Sequence, residues 1–266
     1  MSLGREPRRE HHARPWRRRA VLAGGVCLAV AWTKGVPFLG QLGTPSLTFR
    51  DLPDLPPFRE LTSAGRVSTG TGSGGAGAAL LAGLPDIVPD DPGVSMLRQR
   101  VRADPWMALY GAVAQPAVPV AVFSDVRCPN CRVMEARLSE VVAGDPSAVR
   151  VVRHELPIFG AASITAARAL LAAAGQDEAE DLRDRLIRTP AVTDLAYVLQ
   201  VAAQAGLDPD RLRREMASER VTAALAHSRA VADVFGFIGT PAFGVGWTVF
   251  MGTVSTGVLR SLVSSG

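Results

Sequence analysis

Cys128 and Cys131, separated by Pro129-Asn130, stand where an apolar β-branched run gives way to a helical pattern, and no other feature of the chain restricts its fold as much. Before the pair, Val118, Val120, Ala121, Val122 and Phe123 read as a buried strand that stops at Ser124-Asp125-Val126-Arg127. After it, Pro129 occupies a favoured first helical position, and Val133, Met134, Ala136, Leu138, Val141 and Val142 continue with helical spacing until Pro146. A second apolar run at Val149–His154 follows about one crossover later, so the segment predicts a parallel βαβ unit.

Beyond this unit the pattern stays helical. One helix runs from near Ser163 to Gly175 and another covers Asp177–Ile187; a third is capped by Thr193 and stops at Gly206. A fourth opens at Asp208-Pro209, and Val221–Phe235 ends at Gly236. Two short strands, Pro241–Val245 and Thr248–Met251, are joined by Gly246-Trp247, and a helix over about Ser255–Val263 closes the chain. The predicted order is strand, helix, strand, helical block, hairpin, helix: an α/β fold.

The cysteine arithmetic points to redox work. Only three cysteines occur, and Cys27 lies in the apolar N-terminal run, which leaves the pair alone in the main body. Residues three apart on a helix have Cβ atoms about 5–6 Å apart, near disulfide geometry. A bridge around two residues closes almost no loop and contributes little stability. Cys128 at a helix start meets unsatisfied N–H groups and the positive end of the macrodipole, which favour its thiolate; Arg127 and Arg132 add to this if they point toward it. Stabilising that thiolate stabilises the reduced dithiol and makes the disulfide more oxidising. Cys131, one turn in, is expected to be the buried resolving thiol. A closed zinc site needs four ligands, whereas this body has no second pair and only His154 and His227. Pure packing and transient metal delivery by the dithiol are the other readings.

Residues 1–39 form an address. Seven arginines against Glu6 and Glu10 give residues 1–19 a charge of +5, so the rest of the chain, at +4 overall, carries −1. The basicity belongs to this tail, which removes the case for a nucleic-acid partner. Ala20–Thr33 is uncharged, and as a helix spans about 21 Å against a bilayer core of about 30 Å. It suits an export signal, with Ala29-Val30-Ala31 as a cleavage pattern; Arg18-Arg19-Ala20-Val21-Leu22 is similar to the twin-arginine type, with Arg17 where Ser or Thr is usual. An uncleaved membrane anchor running through Leu39 is the alternative, and both put the body outside the cytoplasm. Residues 40–103 read as a partly disordered spacer, punctuated by seven prolines and the Ser68–Gly77 Gly/Ser/Thr run, with short pieces such as Val94–Val101 able to dock on the domain. A domain over 104–266 follows, with its helical block at about 160–236.

Val120–Cys131 (VAVFSDVRCPNC) resembles the strand and active-site turn of DsbA-like thioredoxin-fold proteins, and Gly239-Thr240-Pro241-Ala242-Phe243 resembles their cis-proline loop. The resemblance implies a thioredoxin fold with an inserted helical subdomain, Cys128 as nucleophile, Cys131 as resolving thiol, and a cis Pro241 against the dithiol. Thr240 would offer backbone hydrogen bonds to an extended substrate. It implies no cofactor or metal beyond the Cys128–Cys131 disulfide, with cysteine-containing exported proteins as substrates and a membrane or soluble redox partner for recycling. The expected activity is that of a protein thiol–disulfide oxidoreductase in the periplasm or envelope. A reductase or isomerase of the same fold, a dithiol metal or assembly chaperone, and a redox-inert peptide scaffold are the rival readings. Two departures bear on the direction of electron flow: Asn130 replaces the His of the best-known oxidants, and Val122 stands where a buried acid is common, so proton transfer at Cys131 needs water or Asp125.

Overall fold

The computed structural model describes residues 47–63, 92–112, 117–174, 176, 178–189 and 194–266. The address at 1–39 and the Ser68–Gly77 run lie outside these residues, as do Gly175 and Thr193. Among the described residues, no helix is long and apolar enough to cross a membrane.

The β-branched run forms β3 (Val118–Ser124), which lies inside a six-stranded sheet of order β1 (Thr48–Asp51), β2 (Arg59–Ser63), β6 (Thr248–Met251), β5 (Ala242–Val245), β3 and β4 (Val149–Glu155). β4 (Val149–Glu155) pairs parallel to it, with Val120 opposite Val151. β5 (Ala242–Val245) pairs antiparallel on its other side and continues through a tight turn into β6 (Thr248–Met251). The helix capped by Cys128, α3 (Pro129–Gly144), makes the crossover and covers one face together with the last helix, α9 (Thr256–Ser264). The other face is covered by α1 (Pro92–Ala103), α2 (Pro105–Tyr110) and α8 (Glu219–Phe235).

Between β4 and β5 the chain builds the helical insertion from α4 (Ala161–Ala173), α5 (Ala179–Arg188), α6 (Leu195–Gln204), α7 (Pro209–Met216) and α8. It has its own core of Ala166, Leu170, Leu182, Leu186, Val198 and Leu212, and only Val126 joins it from the active-site turn. Asp208 caps α7 as its sequence suggests; α6 is capped by Asp194, not Thr193.

Residues 47–63 correct the spacer expected over 40–103. β1 (Thr48–Asp51) and β2 (Arg59–Ser63) form an antiparallel pair, and β2 joins the sheet parallel to β6. Their apolar side chains are few but deep: Leu55, Phe58 and Leu61 are buried, and Phe58 packs on Trp106, Phe235 and Trp247. The strands hold four and five residues with Pro53, Pro56 and Pro57 between them, too short for periodicity to reveal. Val94–Val101 does dock, as part of α1, where Arg98 pairs with Asp233 of α8.

Candidate active site

The active-site turn is fastened from below. Asp125 follows β3 and is buried, and four donors saturate its carboxylate: Arg127 N at 2.8 Å and Ser163 Oγ at 2.9 Å on Oδ1, Ile158 N at 2.8 Å and Phe159 N at 3.2 Å on Oδ2. The carboxylate therefore ties the turn to the loop after β4. Each carboxylate oxygen accepts two of these bonds, so all four acceptor positions are engaged.

Cys128 is the N-cap of α3, with extended backbone (φ −76°, ψ 118°), and Pro129 opens the helix. The Cys128 sulfur accepts a hydrogen bond from Cys131 N at 3.3 Å, and as a thiol donates to the Thr240 carbonyl at 3.4 Å. The Thr240–Pro241 peptide is cis, and Pro241 is buried while Pro129 and Asn130 stay exposed. The dithiol, Thr240 and Pro241 thus come together at one end of the sheet.

The two sulfurs differ sharply in acidity. Cys128 is brought down to about 6, first by the hydrogen bond from the Cys131 thiol, against the opposing effect of burial, and then by Thr240 and the Cys131 and Asn130 backbone. Cys131 is driven well above the ordinary thiol range, first by burial and then by the hydrogen bond and charge of Cys128. Thr240 Oγ1 is buried with no conventional partner, which leaves its hydrogen for the sulfur when the thiolate forms.

Cys128 is 2% exposed, because capping draws its sulfur over the helix end beneath the cis-proline loop. Arg127 and Arg132 do not face the dithiol: Arg127 donates to the Phe159 carbonyl and Arg132 to that of Thr189, each at a lone pair tied to the insertion or its leading loop. The lowered pKa of Cys128 therefore comes from hydrogen bonds, not from flanking guanidiniums. Val122 is packed in the core, and the nearest buried acid along α3, Glu135, is held by Arg153 at 2.8 and 2.9 Å. Sequence reasoning missed Ser163 and the Phe159 backbone as partners of the turn; Ser-Asp at a strand end was the available signal.

Residues 119–264 match the DSBA-like thioredoxin domain family. A thioredoxin-like oxidoreductase from Silicibacter pomeroyi DSS-3 is 35% identical in sequence, with a TM-score of 0.56 over 60% of this chain and 96% of that one. The thiol-disulfide exchange protein alpha-DsbA2 from Wolbachia pipientis (19% identity, TM-score 0.55, 66% and 98% of the two chains) shares the fold. So does the catalytic domain of Proteus mirabilis ScsC (22%, 0.54, 63% and 97%). The Na(+)/H(+) antiporter NhaA 3 of Salinispora tropica is 30% identical over 150 residues, which are 56% of this chain and 23% of that protein. The chain spans less than a quarter of the curated relative it matches. With the family match running over more than half its length and the dithiol facing a cis proline, the chain belongs to the DSBA-like thioredoxin domain family.

Proposed function

We propose that this chain is an exported thiol–disulfide oxidoreductase that donates the Cys128–Cys131 disulfide to cysteines of envelope or secreted proteins. The observation that carries the reading is the Cys128 sulfur at the N-cap of α3 beside the cis-proline loop, where hydrogen bonds from the Cys131 thiol first of all bring its pKa down to about 6. A stabilised leaving thiolate makes the disulfide easier to reduce and hence a stronger oxidant. The basic tail and apolar run of residues 1–39 support export, into a compartment where disulfides persist.

A substrate thiolate attacks the Cys128 sulfur; the Cys128–Cys131 bond breaks, and Cys131 leaves as a thiolate that takes up a proton. The substrate is then held to Cys128 by a mixed disulfide. A second substrate thiolate attacks its own sulfur in that bond and forms the substrate disulfide, and Cys128 departs as the thiolate. Two electrons move from substrate to protein, and a redox partner removes them to restore the disulfide. Cis-proline backbone at Thr240 supports an extended substrate beside Cys128, since its carbonyl is released once that sulfur no longer carries a hydrogen. In the mixed disulfide the Cys128 charge is gone. Two of the causes that hold Cys131 protonated then vanish, so Cys131 can also attack and return the substrate when the second thiol is slow.

The test is trapping in cells with Cys131→Ala. Disulfide-linked complexes between Cys128 and envelope or secreted proteins are expected, and none in a well-expressed variant would overturn the reading. The redox potential of the purified protein assigns direction: a value near that of thioredoxin, about −270 mV, would favour a reductase.

A further inference from the structure

A pocket of about 370 Å³ lies between α1, the end of α8 and the loop that leads to the cis proline. Four charged side chains line it, and they do not balance: Arg98 and Arg102 of α1 and Arg229 of α8 face one carboxylate, Asp233. Each helix contributes residues four apart, which share one of its faces. Asp233 is taken up by two of the three guanidiniums. Its Oδ2 accepts from Arg98 Nε at 3.1 Å and Nη2 at 2.6 Å, and its Oδ1 from Arg229 Nε at 2.9 Å. Arg102 is exposed and pairs with no carboxylate among the described residues. Arg98 and Arg229 keep 27% and 22% of their side chains exposed, so all three guanidiniums are open to a ligand.

The helix ends set the size of the excess. Arg102 stands in the last turn of α1 and Gly236 caps α8, so the carbonyl ends of both helices also bear on the pocket. Each end is worth about half a negative charge. Three guanidiniums against Asp233 and two such ends leave roughly one positive charge. That suits a single carboxylate and is a poor match for a phosphate dianion.

The place of the pocket says where the carboxylate comes from. Phe237 and Ile238 form its wall toward the cis-proline loop, and Ile238 is 42% exposed although apolar. Two residues further on stands Thr240, whose carbonyl meets the Cys128 sulfur at 3.4 Å. The backbone from Ile238 to Thr240 spans at most about 7 Å. An extended chain held at Thr240 and running toward α8 thus passes Ile238 and reaches the guanidiniums within about two to four residues. We propose that this pocket is a specificity site for the polypeptide substrate, taking an aspartate or glutamate about two to four residues from the cysteine that undergoes exchange. The preference presupposes the thiol–disulfide exchange proposed above, and it names the favoured substrates: cysteines in locally acidic segments. Arg102 supplies the uncommitted guanidinium, and Asp233 holds Arg98 and Arg229 in place beside it.

The test uses the oxidised full chain and reduced peptides with two cysteines. The peptides differ only in carrying glutamate, glutamine or lysine about two to four residues from one cysteine, before it in one set and after it in another. Each second-order rate constant for peptide oxidation is divided by that of the same peptide with a small-molecule disulfide, which removes the effect of charge on the peptide's own thiol. In one set the glutamate peptide should react about tenfold faster than the lysine peptide at low salt, with glutamine between them, and the ratio should fall as salt rises. Arg102→Glu should bring the ratio to about one. Arg260→Glu, the same charge change on α9 across the sheet, should leave the ratio as it is. Equal rates for all peptides would overturn this proposal alone and leave the three arginines as counter-charges to the helix ends. A glutamate preference that survives Arg102→Glu, or that Arg260→Glu abolishes equally, would also overturn it, by assigning the preference to the charge of the whole chain. No exchange with any peptide would overturn the oxidoreductase reading and this proposal with it.

Discussion

Cys128 combines two properties that usually oppose each other, since it is nearly covered and yet prefers its charged form. Burial alone raises a thiol, and the bonds from the Cys131 thiol, Thr240 and the helix N-terminal backbone outweigh it. Alkylation of the reduced protein should therefore follow a titration with a midpoint near pH 6, with Cys131 silent over the same range. A midpoint near that of free cysteine would refute this account. Thr240→Val removes the hydroxyl that has only sulfur to serve, so the midpoint should move upward while the fold is kept. The sign for stability follows from the same depression. The folded value of about 6 lies below the ordinary 9, so the thiolate's stabilisation of the reduced protein is complete above about pH 9 and is lost as pH falls through 6. The melting temperature of the reduced form, relative to the oxidised form, should rise from pH 5 to pH 8. The sequence makes the pair and its cis proline legible because both are local motifs. It hides where Arg127 and Arg132 point, because their carbonyl partners lie 32 and 57 residues away.

At the level of elements, β3 and its neighbours are legible because each presents an unbroken period, whereas the contacts that lock them are not. His154 of β4 stacks on Phe123, donates through Nε2 to the Leu109 carbonyl at 2.9 Å and meets Ser228 through Nδ1. Burial first of all lowers it from 6.5 to about 4. The folded state thus binds its proton less readily, so stability is full above pH 6.5 and falls as pH drops toward 4, by on the order of 3 kcal/mol. Urea unfolding across this window should show that loss, and His154→Phe should flatten it while lowering the whole curve, since the Leu109 carbonyl is left unpaired. A loss of equal slope in the variant would assign it to other groups. Gly244 of β5 is a second such lock: a methyl group there would lie 2.7 Å from Tyr110 Oη and 2.8 Å from Leu109 Cδ2. Gly244→Ala should cost about 1–3 kcal/mol by overpacking, read as a lower urea midpoint. Neither contact is visible in a strand pattern, because α2 sits far from both strands in sequence. Arg183 and Glu155 are hidden for a related reason: α5 reads as a charged surface helix, and only the close approach of β4 buries the pair.

For the whole domain, the question is where it begins. Read from periodicity, the folded part starts near residue 104; in the structure, β1, β2 and α1 complete it. β2 closes the open side of β6 through Arg59 and Glu60, and Phe58 sits 5.0 Å from the ring centroids of both Phe235 and Trp247. Trp106 and Trp247 touch each other at 4.2 Å, so without Phe58 this aromatic cluster would face water on one side. An edge strand stripped of its partner and an uncovered apolar cluster are both aggregation hazards. Removing the Phe58 side chain alone should cost about 3–5 kcal/mol, the usual price of deleting a buried aromatic. A chain beginning at Ser46 should then melt cooperatively, whereas one beginning at Asp104 should melt lower and bind a dye specific for exposed apolar surface. The dithiol lies at the far end of β3 from this cluster, so Phe58→Ala should leave the alkylation midpoint of Cys128 near pH 6 while lowering the melting temperature. Equal melting of the two truncated chains would make residues 47–103 an appendage after all, and a shifted midpoint in Phe58→Ala would mean that the sheet edge and the active site are mechanically linked.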